Sequence, residues 1–331
     1  MRYAVVGLGA VGSMLGGLLA KTGDNITLIG RKNQVDVIKK NGITIDGAHI
    51  IENIHVTEKF SSLTDVDVMF VCVKSYDTYE LALKIKKYLK KSALIVSMQN
   101  GVRNARQLEG ITGVKTLSSV VLFNAIYKRA GDVTLTMKGG LLLEYNKEKY
   151  ATILKIHNVL KKAGFNVEII DDIHAALWSK LVLNLQIAVT ALTGQSIKES
   201  TKDRISRKII ISTMNEGLRV VKRSEIRLRA LPRVDPRKMI WILKTGGSLS
   251  TVLSSHIIGL KENARNSMWQ SLSRGKPTEI DYINGEIVNL AKQNNLKAPI
   301  NTKLVELMKE AERKHLTKSY EPNELKKVLK I

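Results

Sequence analysis

Short apolar runs alternate with stretches of three-and-four apolar spacing through the first half of the chain, the signature of strands alternating with helices. Tyr3 to Val6 is the first run, long enough for a buried parallel strand. A helical pattern follows from Ala10 to Lys21, and a second run, Asn25 to Ile29, closes a strand–helix–strand unit. The pattern continues as a helix over Gln34 to Lys40. Short strands at Ile43 to Ile45 and Ile54 to Val56 are predicted around the turn-forming Asp46-Gly47. Asp67 to Val73 reads as a fourth strand, Thr78 to Lys90 as a helix and Ala93 to Met98 as a further strand. Strands are then expected at Thr116 to Asn124, Val133 to Met137 and Leu141 to Glu144, a helix at Lys147 to Lys162 and a strand at Asn166 to Ile170. Beyond Asp171 the periodicity is almost wholly helical, with turns near Gly194, Pro232 to Pro236, Gly275 to Pro277 and Pro299. The expected organisation is an α/β domain over residues 1–170 and an all-α domain over 171–331, with a polar, loosely held tail after Lys314.

The first strand–helix junction carries a specific chemistry. Gly7-Leu8-Gly9-Ala10-Val11-Gly12 falls between the strand and the helix. In such a loop Gly7 permits the tight turn, Gly9 lets a pyrophosphate approach the backbone, and Gly12 lets the helix pack close to the sheet. The phosphates would sit on backbone N–H groups at the positive end of the helix. Two glycines at this spacing recur by chance; the strand before and the helix after make dinucleotide binding the stronger reading. The end of the second strand indicates which dinucleotide. An acid there would hold a ribose hydroxyl, but the chain has Gly30-Arg31-Lys32 and no acid until Asp36. A cation in that place suits a 2′-phosphate, which points to NADPH. Lys74 and Asn100-Gly101 end two further strands, and ligands of open α/β sheets collect at such ends.

Composition narrows the remaining classes. With 331 residues, two domains are natural, and 44% hydrophobic against 25% charged residues is ordinary for a soluble protein. The single cysteine, Cys72, excludes an intrachain disulfide and reads as core. The first strand starts at the N-terminus and leaves no room for a signal peptide, and no uninterrupted apolar run reaches membrane-spanning length; a cytoplasmic protein is expected. The net charge of +23 raises the question of nucleic acid. Counting gives +10 up to residue 170 and +13 after it, so the excess is spread over both halves and lacks interleaved aromatics. An evenly basic surface draws anionic ligands and gives no specific nucleic-acid reading.

Two stretches of the helical half hold unusual polar residues. In the apolar run around Leu177 to Leu185, Lys180 and Asn184 stand four apart and share a helix face. Such a lysine either snorkels to water or is held in a pocket, and periodicity alone leaves both open. Pro277 to Gly285 reads as a helix start, with Glu279 and Asp281 as first-turn acids. His174 and His256 have no partner at metal-ligand spacing and are read as structural; no metal is expected.

These motifs together resemble the ketopantoate reductases (2-dehydropantoate 2-reductases) over nearly the whole chain. The resemblance rests on Gly7 to Gly12, Val73-Lys74, Asn100-Gly101, the run Leu177 to Asn184 and above all Thr278 to Gly285. It implies a Rossmann domain joined to a helical domain like that of 6-phosphogluconate dehydrogenase, and NADPH-dependent reduction of a small 2-oxo acid, 2-dehydropantoate, toward coenzyme A. By that resemblance Lys180 matches the general acid and Glu279 the carboxylate that holds the substrate hydroxyl. Asn100 and Asn184 match groups placing cofactor and substrate, Ser267 a substrate-carboxylate contact, and Arg31 and Lys74 the cofactor-phosphate contacts. Two positions depart from the pattern: Gln99 stands where histidine is frequent, and Ala188 where a second asparagine often follows Asn184. The latter leaves the exact 2-oxo acid open. A reductase of another 2-oxo acid and a non-catalytic dinucleotide sensor are the alternatives, and a homodimer is compatible with all of them.

Overall fold

Arg2–Val6 forms strand β1, buried at every residue after Arg2, as a central parallel strand requires. The computed structural model describes residues 1–51, 54–232, 234–246 and 265–331. β1 lies inside an eight-stranded sheet with β2 (Asn25–Ile29), β5 (Val56–Thr57), β6 (Val68–Val71), β7 (Leu94–Ser97), β8 (Thr116–Val121), β11 (Leu141–Glu144) and β12 (Val167–Ile170). The order is β12-β11-β8-β7-β6-β1-β2-β5, parallel throughout except between β11 and β8. β3 (Ile43–Ile45), β4 (Ala48–Ile51), β9 (Asn124–Arg129) and β10 (Asp132–Met137) make a second sheet, ordered β4-β3-β10-β9.

Helix α1 (Ala10–Ala20) is packed between these two sheets, which explains its small residues. A Cβ at Gly16 would come within 2.6 Å of the Leu28 side chain on the large sheet, and one at Gly17 within 3.0 Å of Ile43 on the small one. Helices α2 (Lys32–Asn41), α3 (Thr78–Ile85), α4 (Asn104–Thr112) and α5 (Tyr150–Lys162) complete the N-terminal unit, Met1–Ile173.

Three expectations change here. The run Thr116 to Asn124 is not one strand: β8 ends at Val121, and β9 begins at Asn124 in the other sheet. The link Leu122-Phe123 is apolar and continues the run of β8, so the crossing leaves no mark in the pattern. The Asp46-Gly47 turn, with φ of 54° and 81°, joins β3 to β4, while Val56 pairs with β2. Helix α4 escapes the periodicity because it buries only Asn104, Leu108 and Thr112, a stripe with one apolar member.

The C-terminal unit, His174–Ile331, is helical. It contains α6 (Ile173–Asn184), α7 (Gln186–Thr193), α8 (Ile197–Lys202), α9 (Arg204–Arg223), α10 (Pro236–Thr245), α11 (Ser267–Leu272), α12 (Asn284–Gln293), α13 (Pro299–Lys314) and α14 (Pro322–Val328). The stretch Ile173–Thr193 is long and apolar enough to cross a membrane by composition, but most of it is buried inside the protein, as a core element is. The tail after Lys314 is held, contrary to the expectation. Ser319 and Tyr320 donate backbone hydrogen bonds to the Leu192 carbonyl, and Leu325 of α14 is fully buried.

Candidate active site

In the N-terminal unit β6 and β1 are neighbours, and so are β6 and β7, so their carboxyl ends bring together Gly7 to Gly12, Val73-Lys74 and Gln99-Asn100-Gly101. The glycine loop is sterically committed. Gly7 has φ +98°, and a Cβ there would lie 2.7 Å from the Val73 nitrogen; one on Gly12 would lie 1.9 Å from the Gly7 carbonyl oxygen. At Gly9, the residue before α1, a Cβ would meet nothing within 4 Å, and no side chain caps the helix. Open space over uncapped N–H groups is what a pyrophosphate needs. Leu8 is buried, while Ala10 and Val11 in the first turn are partly exposed.

The loop is tied to Arg31 by a residue that the sequence pattern did not single out. Gln34 Nε2 donates to the Leu8 carbonyl at 2.6 Å and reaches Tyr127 Oη at 3.3 Å, while its Oε1 accepts the Arg31 N–H at 3.2 Å. Its position in the first turn of α2, three residues after Arg31, is the only local signal. Arg31 itself is exposed and lies 3.8 Å from Asp77, in the 3-10 turn Ser75–Asp77 that Lys74 precedes. The backbone at Asn100 is held twice: its carbonyl accepts Ser75 Oγ at 2.8 Å and Asn104 Nδ2 at 2.5 Å. Gln99 is buried and donates to the Val73 carbonyl at 3.1 Å and to Thr78 Oγ1 at 2.7 Å, so it braces the two loops from below. Cys72, beneath Gly12, has its thiol pushed well above the ordinary range by burial and stays protonated.

In the C-terminal unit Lys180 sits in α6, one turn before Asn184. Both side chains are partly buried, and Ser179 anchors the helix by donating to the Arg229 carbonyl at 2.7 Å. Burial among apolar neighbours pulls the Lys180 ammonium down to about 8, and the Glu279 carboxylate opposes that pull. The lysine is thus partly buried with an acid acting on it, the arrangement that a pocket would give. Glu279 is itself 4% exposed.

Helix α6 stops at Asn184, and a buried polar chain fixes the break. Asn284 Nδ2 donates to the Leu185 carbonyl at 3.2 Å and to Asn301 Oδ1 at 3.0 Å. Asn301 Nδ2 donates to Glu216 at 2.9 Å, whose carboxylate also accepts the Ile300 and Asn301 N–H groups at the start of α13. A buried acid is satisfied there by a helix N-terminus. Asn266 caps α11 and donates to Thr190 Oγ1 at 2.6 Å, which docks Ser267, the first residue of α11, against α7. Ala188 of α7 is fully buried. The expected helix start at Pro277 is absent: Ile280–Tyr282 forms a 3-10 turn, and α12 begins only at Asn284. Thr278 bonds to Glu312 in place of capping a helix. His174 accepts the Trp178 indole N–H at 3.1 Å, a packing role, while His256 lies outside the described residues. Among the described residues no cluster of His, Cys, Asp and Glu is arranged to hold a metal.

Two family models cover most of the chain: ketopantoate reductase PanE/ApbA over residues 3–148, and its C-terminal counterpart over residues 172–312. The chain belongs to the ketopantoate reductase family. One relative in it, the 2-dehydropantoate 2-reductase of Pyrococcus abyssi, is 31% identical, with 93% of this chain and 97% of the relative covered. A crystal structure of a PanE/ApbA family ketopantoate reductase from Ralstonia eutropha JMP134 superposes with a TM-score of 0.81 at 28% identity, covering 95% of this chain and 99% of that one. D-mandelate dehydrogenase, solved with NADH and anilino(oxo)acetate, reaches the same TM-score and coverage at 24% identity. The ketopantoate reductase fold therefore also carries a dehydrogenase of a different small acid.

Proposed function

We propose that this chain reduces 2-dehydropantoate to (R)-pantoate with NADPH, a step toward coenzyme A. The observation that carries the reading is the Lys180–Glu279 pair: a lysine brought to about 8 by burial, with a buried carboxylate acting on it. Bound NADPH supplies the hydride. Lys180 supplies the proton, since a group at about 8 is mostly charged at neutral pH and sits close enough to it to give the proton up as the carbonyl oxygen gains charge. Glu279 accepts the substrate hydroxyl, and Ser267 takes the substrate carboxylate. Asn100 and Asn184 place cofactor and substrate. Gly7, Leu8, Gly9, Ala10, Val11 and Gly12 receive the pyrophosphate, and Arg31 with Lys74 the 2′-phosphate. The same reading places the enzyme in the cytoplasm, acting on a small molecule and on neither nucleic acid nor a membrane.

A reductase of another 2-oxo acid is the second reading, and Ala188 favours it. The experiment compares kcat/KM for 2-dehydropantoate and its deoxy analogue, 2-oxo-3,3-dimethylbutanoate, in the unmodified enzyme and in Glu279→Ala. A buried carboxylate facing a substrate without the hydroxyl loses a charged hydrogen bond, at a cost of about 1.5–3 kcal/mol. The expected result is at least a tenfold preference for 2-dehydropantoate that largely collapses in the variant. A preference of the unmodified enzyme for the deoxy analogue would hand the function to the second reading.

A further inference from the structure

Glu279 is aimed by its neighbours, not by its own side chain alone. Directly before it, Thr278 is 3% exposed and gives both its donors to one oxygen of Glu312: the backbone N–H to Oε1 at 2.8 Å and the hydroxyl at 2.6 Å. The same hydroxyl accepts the Ile280 N–H at 3.2 Å, and Tyr282 donates to the Glu279 carbonyl at 3.0 Å. The second oxygen of Glu312 lies 3.5 Å from Lys309 Nζ, and Lys309 also pairs with Asp281. Helix α13 therefore grips the peptide on both sides of Glu279, at Thr278 through Glu312 and at Asp281 through Lys309. The Glu312 side chain is only 14% exposed, and a carboxylate kept that far out of water is costly unless it is bonded. The charged hydrogen bonds it makes are of the strong kind, and two of them converge on the residue preceding Glu279.

We infer that Glu312 is a positioning residue for Glu279, acting through Thr278. The inference rests on the proposed pairing of Lys180 with Glu279. Burial lowers the Lys180 ammonium and the Glu279 charge raises it, so a Glu279 that drifts away lets Lys180 fall further. An enzyme that needs Lys180 protonated then loses activity at lower pH on the alkaline side. Stability loss alone does not move that limb, so the limb separates positioning from simple support.

The experiment records kcat/KM for 2-dehydropantoate against pH, with thermal unfolding of each protein, for the unmodified enzyme, Thr278→Val, Thr278→Ser, Glu312→Ala, Glu312→Gln and Glu279→Gln. Thr278→Val is expected to lower kcat/KM about three- to tenfold, the effect of one strong hydrogen bond, and to move the alkaline limb downward, less far than Glu279→Gln does. Thr278→Ser keeps the hydroxyl and stays near the unmodified enzyme. Glu312→Ala reproduces Thr278→Val without touching the motif itself, while Glu312→Gln, which retains an acceptor oxygen, does not. A limb that stays in place in both Thr278→Val and Glu312→Ala, while it moves in Glu279→Gln, overturns the inference and leaves the pairing standing. A limb that stays in place in Glu279→Gln overturns the pairing and the inference with it.

Discussion

At the glycine loop the candidate binding groups are main-chain N–H groups, and the side chains nearby matter chiefly by being absent. At Lys180 and Glu279 they are side chains, partly or wholly buried, brought together from stretches distant in the chain. The first arrangement costs the protein little: Gly9 leaves open space, Gly12 admits the Gly7 carbonyl, and no side chain is needed to cap the helix end. The second is expensive. An ammonium and a carboxylate lose solvent, and several further polar groups, from Ser179 to the chain Asn284–Asn301–Glu216, are spent on holding the surrounding elements in place. A site made of backbone is specified by what each position must lack. One made of charges is specified by everything that keeps those charges where they are.

The comparison breaks most visibly at Lys180. Lys180→Ala should lower kcat by about 10²–10⁴-fold, the usual scale of general acid catalysis, while NADPH affinity measured by fluorescence stays within about twofold. Turnover near the unmodified rate would remove the lysine from the chemistry. A matching loss of NADPH binding would show instead that the two regions are not separable. Next in size is Arg31→Ala. Loss of a charged hydrogen bond of roughly 1.5–3 kcal/mol should weaken NADPH about ten- to a hundredfold and NADH hardly at all. Equal losses for the two cofactors would remove Arg31 from the 2′-phosphate.

Much of this contrast was legible in the sequence, for reasons that follow from it. The glycine loop, Arg31, Lys74 and Asn100 are local features: each sits where a strand ends, and the two periodicities locate strand ends well. The α/β half followed by a helical half was equally plain. What stayed hidden involves contacts at a distance. Nothing around Thr116 to Asn124 marks the crossing between sheets, because the link Leu122-Phe123 is as apolar as the end of the strand before it. The tail after Lys314 is polar in composition, yet the buried Leu325 and Leu329 and two hydrogen bonds to Leu192 hold it. The segment from Pro277 reads as a helix start from its residues alone, yet Thr278 spends its donors on Glu312, more than thirty positions away. For Lys180 the local pattern left snorkelling and burial equally open, and what bears on the choice is the acid that the fold brings to act on it. The roles of Lys180 and Glu279 entered the reading separately, through a family resemblance and not through any rule of spacing.

The smallest expected effect sharpens the backbone-built side. Arg31 lies 3.8 Å from Asp77 with 72% of its side chain exposed, so the pair is a surface ion pair worth about 0.2–1 kcal/mol. A 2′-phosphate arriving at Arg31 has to displace this carboxylate and then sit near its charge. Both terms work against NADPH and neither touches NADH. Asp77→Asn should therefore tighten NADPH about two- to fivefold at low ionic strength, with NADH affinity unchanged. At physiological salt the gain should shrink, because salt weakens interactions between exposed charges. The measurement is the dissociation constant of each cofactor at the two ionic strengths, for the unmodified protein and the variant. Weaker NADPH binding in Asp77→Asn would mean that Asp77 holds Arg31 ready for the phosphate, the reverse of the competition argued here. The same loop would then depend on a side chain for its aim, as the Glu279 segment does.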